Sequence, residues 1–351
     1  MSIDRATHSL RRVDVSAATD PMWSELVGSR TSDVFHSPQW ASVLADTYGF
    51  DVRGRILQEG DRPVAGMAIV TVDDHLGRRH VSLPFSDFCD PLVDDPGQLA
   101  ALMGDILAGE DAIAIRSRLG DAAGQLLPEA GTLVWHGIAI DGPPEEIWTR
   151  IDPSARRAIR KATGAGVVVR EADSLSDVRM FFELHLGVRK GKYHLLSQPW
   201  QFFEAIWRHF LEPGNGVLLL AEIDGRTVSG VLFLVWSDTL YYKFNASDLD
   251  TLELRPNDLV LWNGIEWAHR NGLLTVDLGV SDLDQPGLLR YKEKYARLRG
   301  QVTVHKRAAE VTAASDQARS VLHQLTALFV DPSVPDSVTE RAGDLLYRFF
   351  V

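Results

Sequence analysis

The most regular hydrophobic pattern in the chain lies between residues 217 and 247. Three runs of apolar or alternating residues, 217–223, 227–236 and 239–247, are separated by two short polar segments. The first separator is Asp224-Gly225-Arg226, and aspartate followed by glycine favours the tight turn of a β-hairpin. The pattern therefore predicts an antiparallel meander of three strands.

An earlier part of the chain repeats two features of this region in the same order. Arg62-Pro-Val-Ala-Gly66 is similar to Arg226-Thr-Val-Ser-Gly230, which follows it by 164 positions. Ser37-Pro-Gln-Trp40 is similar to Ser197-Gln-Pro-Trp200, which follows it by 160 positions. Any two hairpins can look alike, but two ordered matches at nearly one offset favour the duplication of a whole domain.

The meander is followed by a helix and a buried strand without a hairpin turn between them. Asn257 or Asp258 is expected to cap the helix, Asn271-Gly272 ends it, and the strand covers 273–278. Such an order implies a right-handed parallel crossover. We therefore expect an α/β fold with mixed sheets.

The duplication also suggests where the domains begin and end. We predict an N-terminal domain over residues 1–144, a C-terminal domain over 145–310 and a helical tail over 311–351. The first two segments have the ordinary size of a domain with its own core.

Composition narrows the class of protein. With 45% hydrophobic and 24% charged residues, the chain has the composition of a soluble globular protein. A single cysteine, Cys89, excludes an internal disulfide and a cysteine-based zinc site, and no other metal-binding spacing is visible, so a cytoplasmic location is the default expectation. No apolar run reaches the length of a membrane span. The net charge of −12 disfavours DNA as a partner.

Two short segments carry positive charge against this acidic average. Residues 151–170 have a net charge of +4, and residues 286–307 have a net charge of +6. Each segment alone is as well explained by a solvated helix face. Because both flank the same crossover, they also suggest a channel for phosphates. The phosphate-binding candidates are Arg156, Arg157, Arg160, Lys161, Lys294 and Arg297.

A set of short motifs between residues 34 and 307 resembles the FemABX family of aminoacyl-tRNA-dependent transferases and their BioF2-like relatives, within the Gcn5-related N-acetyltransferase (GNAT) superfamily. The motifs are Phe35-His-Ser-Pro-Gln-Trp40, Leu83-Pro-Phe-Ser-Asp87, Arg156-Arg-x-Ile-Arg-Lys-Ala162 with Gly166-Val167, Arg189-Lys-Gly191, Pro256-Asn257, Asp277-Leu-Gly-x-Ser281, and Gly287-Leu288 with Tyr291-Lys-x-x-Tyr295. Each motif is degenerate alone, and together they are specific to the superfamily rather than to a substrate.

The resemblance implies a tandem duplicated GNAT-like fold and an acyltransferase activity. It also implies a charged tRNA and an amine acceptor as partners, with no other cofactor. No sustained heptad pattern indicates the coiled-coil arm of some family members, so the chain resembles the shorter type. Cys89 and Asp90 stand where smaller residues are expected, which suggests an acceptor pocket of its own.

The turn before the crossover helix bears on the choice of donor. An acetyl-CoA enzyme needs a glycine-rich turn there, because its backbone amides hold the pyrophosphate. Residues 248–258 contain no glycine, one proline, four acidic residues and one arginine. This composition favours aminoacyl-tRNA over a CoA thioester as the donor.

The remaining site candidates follow from the resemblance. Lys292 matches the family's lysine and would stabilise an oxyanion or hold a phosphate; the alternative is a surface lysine. Asp87 matches the family's acidic position and would hold or deprotonate the acceptor amine; the alternative is a turn-forming aspartate. The substrate-binding candidates are Arg189, Lys192, Tyr242, Ser281 and Arg290.

Three hypotheses therefore stand side by side. The first is an aminoacyl-tRNA-dependent aminoacyltransferase that forms an amide on a small-molecule or cell-wall-precursor acceptor, in peptidoglycan or natural-product biosynthesis. The second is an N-acyltransferase that uses an acyl-CoA or acyl carrier protein donor. The third is a binding module that kept the fold without catalysis.

Overall fold

The computed structural model describes residues 10–310 and 312–351, apart from the side chains of residues 120 and 121. The chain forms two compact units. The first comprises residues up to 45, 49–132 and 302–312, and the second comprises 46–48, 133–301 and 313–351. This division differs from the predicted boundaries after residues 144 and 310.

The first sequence copy contributes six strands and four helices. In chain order they are β1 (Arg11–Ser16), α1 (Pro21–Ser29), α2 (Pro38–Tyr48), β2 (Val52–Glu59), β3 (Arg62–Asp74), β4 (Gly77–Val81), α3 (Pro96–Ala108), β5 (Ala112–Ser117), α4 (Gly120–Gly124) and β6 (Glu129–Ala139).

The second copy repeats this order with extra helices at its start. Its elements are α5 (Pro144–Arg150), α6 (Pro153–Gly164), β7 (Val168–Glu171), α7 (Leu175–Gly191), α8 (Trp200–Ile206), β8 (Gly216–Ile223), β9 (Arg226–Trp236), β10 (Thr239–Ser247), α9 (Pro256–Arg270), β11 (Thr275–Asp282), α10 (Pro286–Glu293) and β12 (Leu298–Arg307). Two further helices, α11 (Ala313–Phe329) and α12 (Asp336–Leu346), follow.

Each unit contains the predicted meander and crossover. In the first unit, β1, β2, β3 and β4 pair antiparallel in sequence order, and β4 pairs parallel with β5 after α3. In the second unit, β7, β8, β9 and β10 do the same, and β10 pairs parallel with β11 after α9. The predicted mixed α/β fold and its tandem GNAT-like arrangement are confirmed.

The last strand of each copy completes the sheet of the other copy's unit. β6 pairs antiparallel with β11, where Thr275 faces Ala139. β12 pairs antiparallel with β5, where Thr303 faces Ser117. The prediction followed sequence order, so it placed β6 in the N-terminal domain and β12 in the C-terminal domain. In the structure each of these strands belongs mainly to the other unit, which is why the predicted boundaries differ.

The hairpins carry a structural mark of the duplication. The β2–β3 ladder shifts register between Leu57 and Gln58, and the β8–β9 ladder shifts between Ala221 and Glu222. These two irregularities are separated by the same 164 positions as the matching sequence motifs. An irregularity kept at the same place in both hairpins supports duplication over chance likeness.

Each unit has its own core. In the first unit, α3 packs Leu99, Leu102 and Met103 against residues of β3 and β5. In the second, α9 contributes residues such as Val260, Leu261 and Ile265 to a larger cluster. Both helices therefore present one apolar face to their sheet.

The C-terminal tail is helical and packs on the second unit. Glu340 of α12 accepts two hydrogen bonds of 2.7 Å from Arg179. Lys190 Nζ lies 2.7 Å from Asp336 Oδ1 at the start of the same helix. In the portion of the chain that the structure describes, no helix combines the length and apolarity required to cross a membrane.

Candidate active site

The parallel strands of the second unit separate soon after they meet. β10 and β11 pair only from Thr239–Tyr241 to Thr275–Asp277, although both strands continue beyond these residues. Irregularities coincide with the separation, between Tyr242 and Phe244 on β10 and between Asp277 and Val280 on β11. A cleft that begins at Tyr242 and Leu278 is therefore built into the sheet, as expected from the fold.

Asp277 and Gly279 build the bulge of β11. The Asp277 carboxylate accepts hydrogen bonds from the Gly279 amide (2.6 Å) and from the Trp135 indole (2.8 Å). Gly279 has a φ of 68°, which favours glycine because it lacks a Cβ. The Asp277-Leu-Gly-x-Ser281 motif thus has a structural explanation: it breaks the ladder and redirects the residues that follow.

Lys292 lies buried beside this bulge. Its Nζ donates a hydrogen bond of 2.8 Å to the carbonyl oxygen of Val280. The side chain is only 5% exposed, so the alternative of a surface lysine is wrong. A buried ammonium group strengthens any interaction with developing negative charge, because nearby water is scarce.

Ser281 and Tyr242 flank the cleft on its two strands. Ser281 follows Val280 on β11, is 2% exposed and has no hydrogen-bond partner for its hydroxyl within the described residues. Tyr242 stands on β10 where the strands separate, and burial of its hydroxyl raises the pKa above its ordinary value.

Two tyrosines of the Tyr291-Lys-x-x-Tyr295 motif extend this polar region. Tyr295 donates a hydrogen bond of 2.6 Å to Asp258 at the start of α9, and burial raises the pKa of both groups. The Tyr291 hydroxyl is buried without a hydrogen-bond partner among the described residues. Such unpaired buried groups are rare in native proteins and call for a functional explanation.

The start of α9 differs from the expected cap. Arg255, with a φ of 64°, precedes Pro256, and no side chain caps the helix. Asn257 instead accepts hydrogen bonds through Oδ1 from Ser229, Ser247 and Asn245, at 2.6 to 2.8 Å. The prediction of an Asn257 or Asp258 cap is therefore wrong, since tertiary partners on β9 and β10 compete for the asparagine.

The other substrate-binding candidates occupy varied environments in the second unit. Arg189 is half-buried, and its Nε donates to the Leu196 carbonyl at 3.0 Å. Lys192 and Arg290 are exposed. Their roles stay predictions.

Asp87 lies in the first unit, half-buried on the segment between β4 and α3. Its predicted contact with an acceptor amine likewise stays a prediction.

The two basic segments meet in the second unit. The Asp152 amide donates to the Lys294 carbonyl at 2.8 Å, and the Arg297 guanidinium donates to the Arg150 carbonyl. Helix α6 buries Ala155, Ile159 and Ala162, which leaves Arg157, Arg160 and Lys161 exposed and Arg156 half-buried. The cationic candidates Lys294 and Arg297 thus border the start of this helix.

Sequence reasoning missed His136 on β6. It is 1% exposed and lies opposite the β11 bulge, between Trp135, which faces Val280, and Gly137, which faces Asp277. A signal was present, because Val134, His136 and Ile138 alternate along the strand and predict one buried face. No cluster of three or more His, Cys, Asp and Glu side chains among the described residues could hold a metal ion.

The sequence of the second unit matches a known family. Residues 153–293 match the model of the acetyltransferase (GNAT) domain. The match covers less than half of the chain and indicates a GNAT-type acyltransferase domain in this unit. No curated protein matches its sequence.

Solved structures share the fold over most of this chain's length. FemX superposes with a TM-score of 0.62 at 16% identity, covering 84% of this chain and 96% of its own. A tandem GNAT protein from the clavulanic acid biosynthesis pathway gives 0.56 at 10% identity, covering 87% and 100%. L-PGS from Bacillus licheniformis gives 0.54 at 10% identity, covering 88% and 98%. The predicted FemABX-like resemblance is thus confirmed for the fold.

Proposed function

We propose that the chain is an aminoacyl-tRNA-dependent aminoacyltransferase that forms an amide on the amine of a small-molecule or cell-wall-precursor acceptor. The cleft between β10 and β11 suits an extended, amide-bearing substrate, because separated strands leave backbone groups to pair with it. The resemblance to the FemABX family supplies the class of donor.

The observation that carries the choice of donor is the turn before α9. Its amides already donate within the turn: Asp250 to the Asp248 carboxylate at 3.0 Å, Thr251 to the Asp248 carbonyl at 3.1 Å, and Arg255 to the Leu252 carbonyl at 3.1 Å. Pro256 has no N–H to offer. A CoA pyrophosphate would meet occupied amides and the carboxylates of Asp248, Asp250 and Glu253.

The joined basic segments supply a surface for a larger anion. Arg157, Arg160 and Lys161 are exposed on α6, and Asp152 at the start of this helix bonds to Lys294. Cations in a row attract a phosphate backbone and release its counterions, which makes binding strong at low salt and weak at high salt. The acceptor stem of a charged tRNA presents such a backbone.

The reaction is the attack of an amine on the aminoacyl ester. The nitrogen forms a bond to the ester carbonyl carbon, a tetrahedral oxyanion appears, and the C–O bond to the tRNA ribose breaks. Lys292 is positioned to stabilise the oxyanion, because its buried ammonium lies at the β11 bulge, where it donates to the Val280 carbonyl.

The test is to incubate the full chain with a panel of charged tRNAs and candidate amines. Amide product is expected, and RNase treatment of the donor beforehand should abolish it. Product that survives this treatment contradicts a tRNA donor.

A salt titration of tRNA binding sharpens the test. Arg157→Ala should weaken binding and reduce the slope of log K against log salt by about 1. Arg208→Ala, which removes an exposed cation outside the basic segments, is the matched control and should leave the slope unchanged. If both variants gave the same slope of log K against log salt, the tRNA would not bind at the basic segments.

An acyl-CoA or acyl-carrier-protein donor is the second candidate, favoured by the match to an acetyltransferase domain. A CoA thioester that binds the folded chain raises its Tm, since ligand binding stabilises the folded state. A clear concentration-dependent shift would favour this candidate over the tRNA donor.

A further inference from the structure

His136 is a buried histidine without hydrogen-bond partners. Neither of its ring nitrogens is paired within the described part of the chain. The four other buried histidines, His36, His80, His185 and His305, each keep at least one polar partner. Burying an imidazole without a partner is unfavourable, so a residue retained in this state needs a reason other than stability.

The sheet register places His136 beside Ser281 and Lys292. Val134 faces Ser281 across the ladder, and His136 lies two residues further along the same face of β6. Lys292 Nζ bonds to the carbonyl of Val280, the neighbour of Ser281. An imidazole and a hydroxyl, both without partners, therefore lie close to the buried ammonium at the β11 bulge.

The surroundings of His136 favour the neutral form of its ring. Burial lowers its pKa below the ordinary value, and the cations Lys292 and Arg299 lower it further. Glu293 opposes them more weakly. A neutral imidazole with an unpaired nitrogen can accept a proton.

We propose that His136 is the proton acceptor of acyl transfer. As the amine nitrogen bonds to the carbonyl carbon, its proton passes to an imidazole nitrogen. As the ester C–O bond breaks, the same proton passes to the leaving ribose oxygen, so the imidazole ends neutral. The identity of the leaving group rests on the proposed function; with a thioester donor the sulfur takes its place. His136 thus takes the proton-accepting role that the resemblance implied for Asp87.

The first experiment compares wild type with His136→Gln in the full chain, with one donor and one acceptor across a range of pH. General base catalysis contributes about 10²-fold or more, so kcat/KM should fall by about that factor at neutral pH. The ratio of wild type to variant should decline in acid, where His136 becomes protonated. The titration of the acceptor amine cancels in this ratio.

The second experiment measures thermal unfolding of His136→Phe. Replacing an unpaired imidazole by an apolar ring removes a buried unsatisfied group, so Tm should rise by about 2 °C. A structural histidine would behave in the opposite way. His185→Gln is the matched control: it removes a 2.8 Å bond to Gln198, and we expect it to lower Tm and leave the pH-dependent ratio flat.

The outcomes separate this proposal from the proposed function. If wild type uses a CoA thioester and not charged tRNA, the tRNA hypothesis fails while the ratio still tests His136. The proposal is overturned if the ratio of wild-type to His136→Gln kcat/KM does not change with pH when the active donor is used. It is also overturned if the corresponding ratio for Asp87→Asn, rather than that for His136→Gln, depends on pH. A lower Tm for His136→Phe also counts against it, without any donor.

Discussion

The two units differ at the gap that opens where the two parallel strands of the crossover stop pairing. These strands are β4 and β5 in the first unit and β10 and β11 in the second. In the first unit, the segment between β4 and α3 enters the gap: Ser82 donates its amide to Ala114, and Cys89 donates to Arg116 of β5, at 2.9 and 3.0 Å. In the second unit, β10 and β11 separate and no comparable segment among the described residues bonds to β11 there. The first gap is closed by the chain itself, and the second is where we propose that the substrate binds.

The polar side chains near the two gaps also differ: those of the first unit are hydrogen-bonded to one another, whereas two of the second unit are not. Asp90 of the first unit accepts from Ser117 Oγ (2.9 Å) and from the Arg118 amide and Nε (2.6 and 2.8 Å). His36 bonds to the Asp90 carbonyl at 2.6 Å. In the second unit, His136 and Ser281 have unpaired polar atoms. A paired cluster stabilises the fold, whereas an unpaired one is available for chemistry.

Removal of Lys292 should give the largest effect. Lys292→Ala takes away the cation proposed to stabilise the oxyanion, so kcat/KM should fall by about 10²–10³-fold while the chain stays folded. Steady-state transfer with the active donor measures it.

The other buried lysine of the second unit provides the control for that measurement. Lys190, 8% exposed, bonds to Val334 and Asp336 of the tail. Lys190→Ala should lower Tm and keep kcat/KM. Equal kinetic losses in both variants would show that removing either buried lysine of this unit impairs transfer, and would contradict a specific role for Lys292.

Removal of Asp90 should affect stability instead. Asp90→Ala removes the carboxylate that accepts hydrogen bonds from Ser117 and Arg118, which should cost about 3 kcal/mol of unfolding free energy. Urea denaturation measures this loss, with Asp94→Ala, on an exposed ion pair, as the control that should change stability by less than about 1 kcal/mol. A kinetic loss at full stability would assign catalysis to the first gap.

Two structural histidines should show opposite pH dependence. Burial lowers the pKa of His185 to about 4, so the folded chain loses stability as pH falls below the ordinary pKa of about 6.5. By pH 5 this amounts to about 2 kcal/mol, and His185→Gln should remove it.

His36 responds in the other direction. Burial lowers its pKa, but the nearby Asp33 carboxylate and Cys89 outweigh burial and hold it well above the usual range. The stability that it contributes is therefore present in acid and is lost as pH rises through the raised pKa. Urea denaturation of His36→Gln across pH checks the sign; slopes of the same sign for both histidines would contradict this account.

Much of the architecture follows from sequence because local patterns determine it. The Asp224-Gly225 turn, the apolar runs beside it and the motifs repeated at Gly66 and Gly230 identify the hairpins and their duplication. At Gly230 a side chain would lie 2.8 Å from Phe181, which explains why glycine is needed there.

The rest depended on contacts between distant parts of the chain. Nothing local indicates that β6 pairs with β11, and so nothing identifies His136 as a neighbour of Lys292. The same holds for Asn257, whose three partners lie on β9 and β10 and displace it from the expected cap. Composition locates the basic segments, but it does not indicate the Asp152–Lys294 bond that brings them together.

The exchanged strands also bear on how the polypeptide is made. The first unit needs β12 at residues 298–307 to cover β5, so a nascent chain released up to residue 144 exposes an unpaired edge of that strand. Completion of the N-terminal sheet must wait for synthesis of most of the protein, and the two halves mature together rather than one after the other. If the gene were divided between the two copies, each fragment would have an unpaired strand edge and would tend to aggregate. We expect activity only when the two fragments are expressed together.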